Sequence, residues 1–293
     1  MPLVDLLLAL SVPVMWGLGL TVAKAAISAD FPPILLMALR FALAGAVLVW
    51  FVRPPPARLM GRIFLITVLG ATIQYSLTFT GLKGLDASTA GIVIQLEVPF
   101  AAALAALLLK DRLGWRRTLG MAVAFAGVAV IAGEPRFQGD LAPLLMVVGG
   151  AFTWSLAQVA IKTLGRVGGF TLVAWTAVFA APQLFVASWL FEDGQVAAIT
   201  HAGTLVWSAV VYLGVIMTGL GYAVWYHLLG RHRVNQVMPF LLLLPLVTAV
   251  SGVLLLGERL SVATLAGGAL VIAGVAVIVL TRGPTRAPLP APD

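Results

Sequence analysis

The sequence contains no cysteine, so disulfides, thiolate metal sites and thiol nucleophiles are all excluded. Charge is scarce as well, at 10% of 293 residues, and only 11 residues are acidic. With 61% hydrophobic residues and a mean hydropathy of +1.07, there is too little polar surface to cover a soluble globule. No G-x4-G-K-[S/T] loop is present, which argues against ATP hydrolysis by this chain. His201, His227 and His232 have no ligand-like partners at metal spacing, and no nucleophile or carboxylate constellation supports an intramembrane enzyme. Neither a metal nor a cofactor is expected. The net charge of +7 lacks basic stretches interleaved with aromatics, so it speaks to membrane topology and not to nucleic acid.

What the chain has instead is a series of apolar runs, each near the roughly 20 residues that a bilayer-spanning helix requires. Ten spans are expected, at about 3–26, 32–52, 63–82, 87–109, 118–132, 141–161, 170–191, 205–229, 237–256 and 262–281, giving an all-α protein embedded in the lipid bilayer. The first span is long enough to stay embedded and lacks the basic region of a cleaved signal peptide. Alternate loops hold thirteen basic residues: Arg53, Arg58, Arg62, Lys110, Arg112, Arg116, Arg117, Lys162, Arg166, Arg231, Arg233, Arg282 and Arg286. The other loops hold Lys83, Arg136 and Arg259, so both termini are expected to be cytoplasmic. Residues 284–293 read as a disordered cytoplasmic tail.

Leu107-Leu108-Leu109-Lys110-Asp111-Arg112-Leu113 returns as Leu254-Leu255-Leu256-Gly257-Glu258-Arg259-Leu260, and the same shift carries Ala126–Ile131 onto Ala273–Ile278. Pro99 is likewise matched by Pro245. A recurrence of this length in an apolar chain marks a duplicated membrane unit, here 1–135 and 136–283. Five spans per unit is an odd number, so the second copy enters the membrane upside down. Inverted repeats of this kind place a substrate site near the midplane and work by alternating access.

These residues resemble the EamA-type ten-helix members of the drug/metabolite transporter superfamily. The resemblance rests on the paired Pro99 and Pro245 motifs, on Leu39-Arg40-Phe41 in the second span, and on Trp16 and Trp154 in spans one and six. It implies a metabolite exporter of the bacterial inner membrane, most similar to YddG-type aromatic amino-acid exporters. Lys110-Asp111 stands where Gly-Glu is usual in the first copy, and Glu97 where an uncharged residue is usual.

An ionisable group deep in hydrocarbon costs about 2.5 to 3.5 kcal/mol on insertion scales, which singles out Arg40 and Glu97. At about 1.5 Å of rise per residue they lie about 12 Å and 15 Å below the outer surface. Two arrangements fit: a buried ion pair, or a cavity wall on which Arg40 draws a substrate carboxylate and Glu97 takes an ammonium group or a coupled proton. Trp16, Trp154 and Gln158 are further cavity candidates, as are Gln95 and the aromatics Tyr75, Phe79, Tyr222 and Trp225, which fall at helical spacing near polar neighbours such as Thr218. Lys24 and Lys162 end Trp-x7-Lys patterns and read more simply as snorkelling residues. Pro99 and Pro245 are expected to act as mid-helix hinges, and Pro13 and Pro182 to kink their spans in the same way. The substrate expected is an amino acid, aromatic or otherwise apolar, or a related metabolite. The rivals are cationic drugs, sugar or nucleotide-type metabolites, and a non-transporting scaffold.

Overall fold

The computed structural model describes residues 1–109, 114–134, 140–165, 167–232 and 234–281. The 110–113 turn, Arg136, Arg166, Arg233 and the tail from 282 onward lie outside the described residues. Ten helices are long and apolar enough to cross a membrane: α1 (Leu3–Ser28), α2 (Pro33–Phe51), α3 (Ala57–Lys83), α4 (Ala87–Leu109), α5 (Trp115–Ala132), α6 (Ala142–Leu164), α7 (Gly169–Phe191), α8 (Thr204–Arg231), α9 (Met238–Leu256) and α10 (Val262–Leu280). This is the expected all-α pattern of two inverted five-helix repeats. The third helix starts six residues earlier than the apolar run suggests, directly after Pro54-Pro55-Pro56, because Arg58 and Arg62 ride on its first turns. Arg62 is held there by donating from Nη2 to the Thr163 carbonyl at 3.2 Å and to its hydroxyl at 2.9 Å. Pro13 and Pro182 lie inside continuous helices that neither residue ends.

Symmetry organises the packing. The equivalent helices α5 and α10 pair with each other, as do α2 and α7. Between these pairs stand two three-helix bundles, α1 with α8 and α9, and α3 with α4 and α6, which the repeat relation exchanges. The α5–α10 pair shows why small residues recur at the same offset in both copies. A Cβ on Gly127 would lie 2.5 Å from the Gly267 carbonyl oxygen, and one on Gly120 would lie 2.7 Å from that of Gly274. Backbone blocks both positions, so no rotamer change relieves a larger residue. Gly127→Leu should therefore abolish the monodisperse peak of detergent-extracted protein. Gly61→Leu, where a Cβ would have nothing within 4 Å, should leave that peak unchanged.

Both repeats break their helices at matching heights. The third and eighth helices widen into π-type turns at Val68–Ile73 and Tyr212–Leu220. The fourth helix is interrupted between its segments Ala87–Ile94 and Glu97–Leu109, and α9 opens with a 3-10 stretch over Met238–Leu243. Proline explains the second pair of breaks. Pro99 and Pro245 have no N–H, and their rings crowd the carbonyls four residues back, Gln95 and Leu241. The irregularity therefore falls one turn before each proline and not at it.

Candidate functional site

Glu97 sits at the break in α4, whereas Arg40 lies on the unbroken part of α2 and meets the widened turn of α8 through Thr218. Glu97 is the first residue of the second half of α4, where a carboxylate suits the exposed N–H groups of a helix start. Ser155 Oγ on α6 lies 2.8 Å from both the Glu97 and the Ala151 carbonyl oxygens, and its single proton is shared between them, tying α6 to the start of the second half of α4. The Glu97 side chain is part-exposed despite its depth, and no described side chain donates to its carboxylate.

Arg40 is buried, at 1% exposure. It does not pair with Glu97, and among the described residues no carboxylate lies within 4.0 Å of it. Its Nε donates to Thr218 Oγ1 on α8 at 3.1 Å; Nη2 reaches the Tyr75 hydroxyl at 3.5 Å and Nη1 the Met37 Sδ at 3.7 Å. The guanidinium stands 5.0 Å from the Phe41 ring centre and 4.9 Å from that of Tyr75. Cation–π attraction of this kind offsets part of the cost of burying an unneutralised charge. The ion-pair arrangement is thus absent, and both charges are left without a protein counter-ion.

Aromatic residues fill the space around these groups in two stacks. Tyr75 stacks on Phe79 at 5.6 Å, and Tyr222 on Tyr226 at 6.2 Å. Trp16 touches Tyr222 at 5.0 Å and Trp225 at 5.8 Å, and its Nε1 donates to the Met217 carbonyl at 3.2 Å. The Tyr212 hydroxyl donates in turn to the Met15 carbonyl at 3.1 Å, so two reciprocal bonds stitch α1 to the widened turn of α8. Phe79 and Trp225 are buried, whereas Tyr75, Gln95, Trp154 and Tyr222 remain part-exposed. Trp154 flanks Gly70 on α3, and Gln158, one turn further along, is exposed.

The EamA-like transporter family model matches this chain twice, over residues 4–133 and 141–280. The chain belongs to the EamA-like transporter family. Probable amino-acid metabolite efflux pumps of Salmonella typhimurium and Escherichia coli are 33% and 32% identical to it over 285 residues, covering 92% of this chain and 93% of theirs. A probable terminal-alkyne amino-acid exporter of Streptantibioticus cattleyicolor is 32% identical over 233 residues, covering 78% of this chain and 75% of its own. One solved structure shares the fold with a TM-score of 0.64 at 23% identity, over 93% of this chain and 94% of its own. The chain is therefore a multi-pass membrane transporter.

The two faces of this EamA-like chain differ. On the far face, opposite the one where the chain begins, the two bundles are tied together. Glu258, in the α9–α10 turn, accepts from the backbone N–H groups of Ala87 at 2.6 Å and Ser88 at 3.0 Å, and from the Ser88 hydroxyl. Its carboxylate caps α4, as the positive end of a helix favours. Gly257 makes this reach feasible: it ends α9 in the left-handed conformation at φ 68°, turning the chain so that Glu258 faces α4. Lys24 on α1 donates to the Leu82 and Lys83 carbonyls at 3.0 and 3.2 Å, and Thr248 on α9 packs on Gly91 of α4. Each of these contacts crosses from the α1–α8–α9 bundle to the α3–α4–α6 bundle.

At the N-terminal face, by contrast, comparable packing between the start of α9 and either α6 or the second half of α4 does not recur among the described residues. The buried side chains there separate into Ala9, Val12, Trp225, Leu228 and Val237 on one side and Ile63, Leu164 and Leu172 on the other. These two groups form separate clusters, without buried side chains joining them among the described residues. Asp5, buried at 2% exposure, meets His232 Nε2 at 2.7 Å and Arg231 Nη1 at 3.5 Å, but this joins α1 to the end of α8 within a single bundle.

Sequence reading missed the roles of Glu258, Lys24 and Asp5. Lys24 carried no signal that its twin Lys162 lacks, since α3 ends at the face of Lys24 and α8 at that of Lys162, and only the fold shows Lys24 bonded to α3 carbonyls and Lys162 exposed. Glu258 could have been sought from Gly257, since a glycine ending a helix aims the next residue backwards.

Proposed function

We propose that this transporter exports amino acids, aromatic or other apolar ones above all, and related metabolites by alternating access of the two three-helix bundles. The observation that carries the reading is a pair of deep ionisable side chains, Arg40 and Glu97, that have no ion-pair partner among the described residues, with Arg40 lying against the aromatic rings of Phe41 and Tyr75. An amino acid brings one carboxylate and one ammonium group, so it neutralises both charges. Its apolar side chain then lies against Tyr75, Tyr222 and Trp16. In the opposite state Glu97 serves as acceptor for a coupled proton. The printed names of the relatives from Salmonella, Escherichia coli and Streptantibioticus support amino-acid compounds as the substrate class. With the termini cytoplasmic in a bacterial inner membrane, as the basic loops argue, the less tied N-terminal face is the open, loading side of an exporter in this reading.

Pro99 and Pro245, with the breaks they cause at Gln95 and Leu241, act as the hinges about which the half-helices tilt. Gln95, Trp154 and Gln158 complete the path towards the open face, and Phe79 and Trp225 back the aromatic stacks. The test is flux in liposomes containing the purified chain, with a panel of labelled amino acids. Saturable flux of an aromatic or branched-chain amino acid is expected, and no flux across the whole panel would dismiss the amino-acid reading.

A further inference from the structure

We infer that Thr218 is a positioning residue that aims the Arg40 guanidinium at the substrate carboxylate; this rests on Arg40 being the carboxylate anchor of the proposed transport cycle. The Phe41 and Tyr75 rings lie about equally far from the guanidinium, at 5.0 and 4.9 Å, and attraction to a ring face is weakly directional. Direction comes from hydrogen bonds. Only the bond from Nε to Thr218 Oγ1, at 3.1 Å, falls within ordinary length. The contacts of Nη2 with Tyr75 and Nη1 with Met37 are long, at 3.5 and 3.7 Å. The Nη edge is thus the one a carboxylate can take over with two parallel bonds once Tyr75 swings aside, and Thr218 sets where that edge points.

Thr218 is itself fixed. Its hydroxyl proton goes to the Leu213 carbonyl, five residues back, at 2.8 Å, so its oxygen is left to accept from Arg40. Thr67 and Thr248 bond four residues back, to Ile63 and Leu244. The longer reach of Thr218 belongs to the widened turn Tyr212–Leu220, which gives that turn a purpose beyond bending. The repeat supplies an independent sign. The equivalent residue in the widened turn of the first half is Thr72, which donates to Gln183 Oε1 on α7 at 2.5 Å. A threonine reaching from the widened helix to the α2–α7 pair is therefore built into both halves. In one half it holds a neutral amide, and in the other it holds the charge.

The experiment compares L-phenylalanine with 2-phenylethylamine, which keeps the ring and the ammonium group but lacks the carboxylate, in liposomes containing wild type, Thr218→Val or Thr218→Ser. Thr218→Val should raise the KM for phenylalanine about tenfold and leave that for the amine within about twofold, while Thr218→Ser restores the wild-type ratio. An unchanged ratio in Thr218→Val, or a serine variant as poor as the valine one, would overturn the assignment. If wild type moves neither compound, the amino-acid reading falls on its own. Thermal stabilisation by phenylacetate then decides Thr218: stabilisation of wild type and Thr218→Ser but not of Thr218→Val supports the role, and equal or no stabilisation in all three removes it.

Discussion

Arg40→Met should lose amino-acid flux by about 100-fold without losing stability. The size follows from removing one side of a desolvated, charge-paired contact, about 2 to 5 kcal/mol, and each 1.4 kcal/mol is a factor of ten. The stability half of the expectation is the more distinctive. Breaking a buried ion pair strands the partner charge and is strongly destabilising. Arg40 has no carboxylate within 4.0 Å among the described residues, so its removal strands none. Methionine keeps much of the volume beside Phe41 and Tyr75 and relieves a buried charge. Melting of the detergent-solubilised variant should occur at or above the wild-type temperature. Arg40→Lys should not rescue flux, because an ammonium cannot present the planar two-donor edge. Melting well below wild type together with lost flux would make Arg40 a structural residue and withdraw it from the substrate site.

The second large effect is expected at Glu258. If the bundles rock, the contacts that cross between them on the far face must release when that face opens. Asp140, Glu192 and Glu258 all cap helix starts there, and the last two predict opposite outcomes. Glu192 accepts from the N–H groups of Ile34 at 2.7 Å and Leu35 at 3.0 Å, and from the Ser188 hydroxyl at 2.8 Å. It lies within the α2–α7 pair, whose partners pack closely along their lengths, so its cap can persist in both states. Glu258 joins separate bundles and cannot do so. A hydrogen bond to a charged group contributes about 1.5 to 3 kcal/mol, so losing the cap should raise the far-face-open population about 10- to 100-fold from a low starting value. The absence of native cysteine makes the readout clean. Thr248→Cys places a thiol at a fully buried position against Gly91. Its labelling by an impermeant reagent from the far side should accelerate at least tenfold in Glu258→Ala and stay unchanged in Glu192→Ala. Equal rates in all backgrounds would make Glu258 a static cap.

Much of this was legible in the residues themselves. The spans follow from apolar length, and the inversion from a repeat with an odd number of spans per unit. The depth of Arg40 and Glu97 follows from counting turns. Pairing could not be read in that way. Matching depths left an Arg40–Glu97 bond open, but depth fixes only one coordinate, and the directions in which α2 and α4 present these side chains depend on helix rotation. The widened turn at Tyr212–Leu220 rotates α8 so that Thr218 meets Arg40. No residue spacing announces a π-type turn. Proline marked a break at Pro99 and Pro245 but not at Pro13 or Pro182, and where it did, its position pointed one turn too far along, since the crowded carbonyl belongs to the residue four places earlier.

The sequence by itself determined a ten-helix inverted repeat with two ionisable residues at mid-depth, because burying apolar length and avoiding charge in hydrocarbon are properties of composition and order. Only the tertiary structure decided which groups those charges meet, that the two bundles are joined at the far face, and that comparable ties do not recur among the described residues at the face where the chain begins. Those features depend on rotation and tilt between helices far apart in the chain, and the shared apolarity of every helix face leaves both unwritten in any one segment.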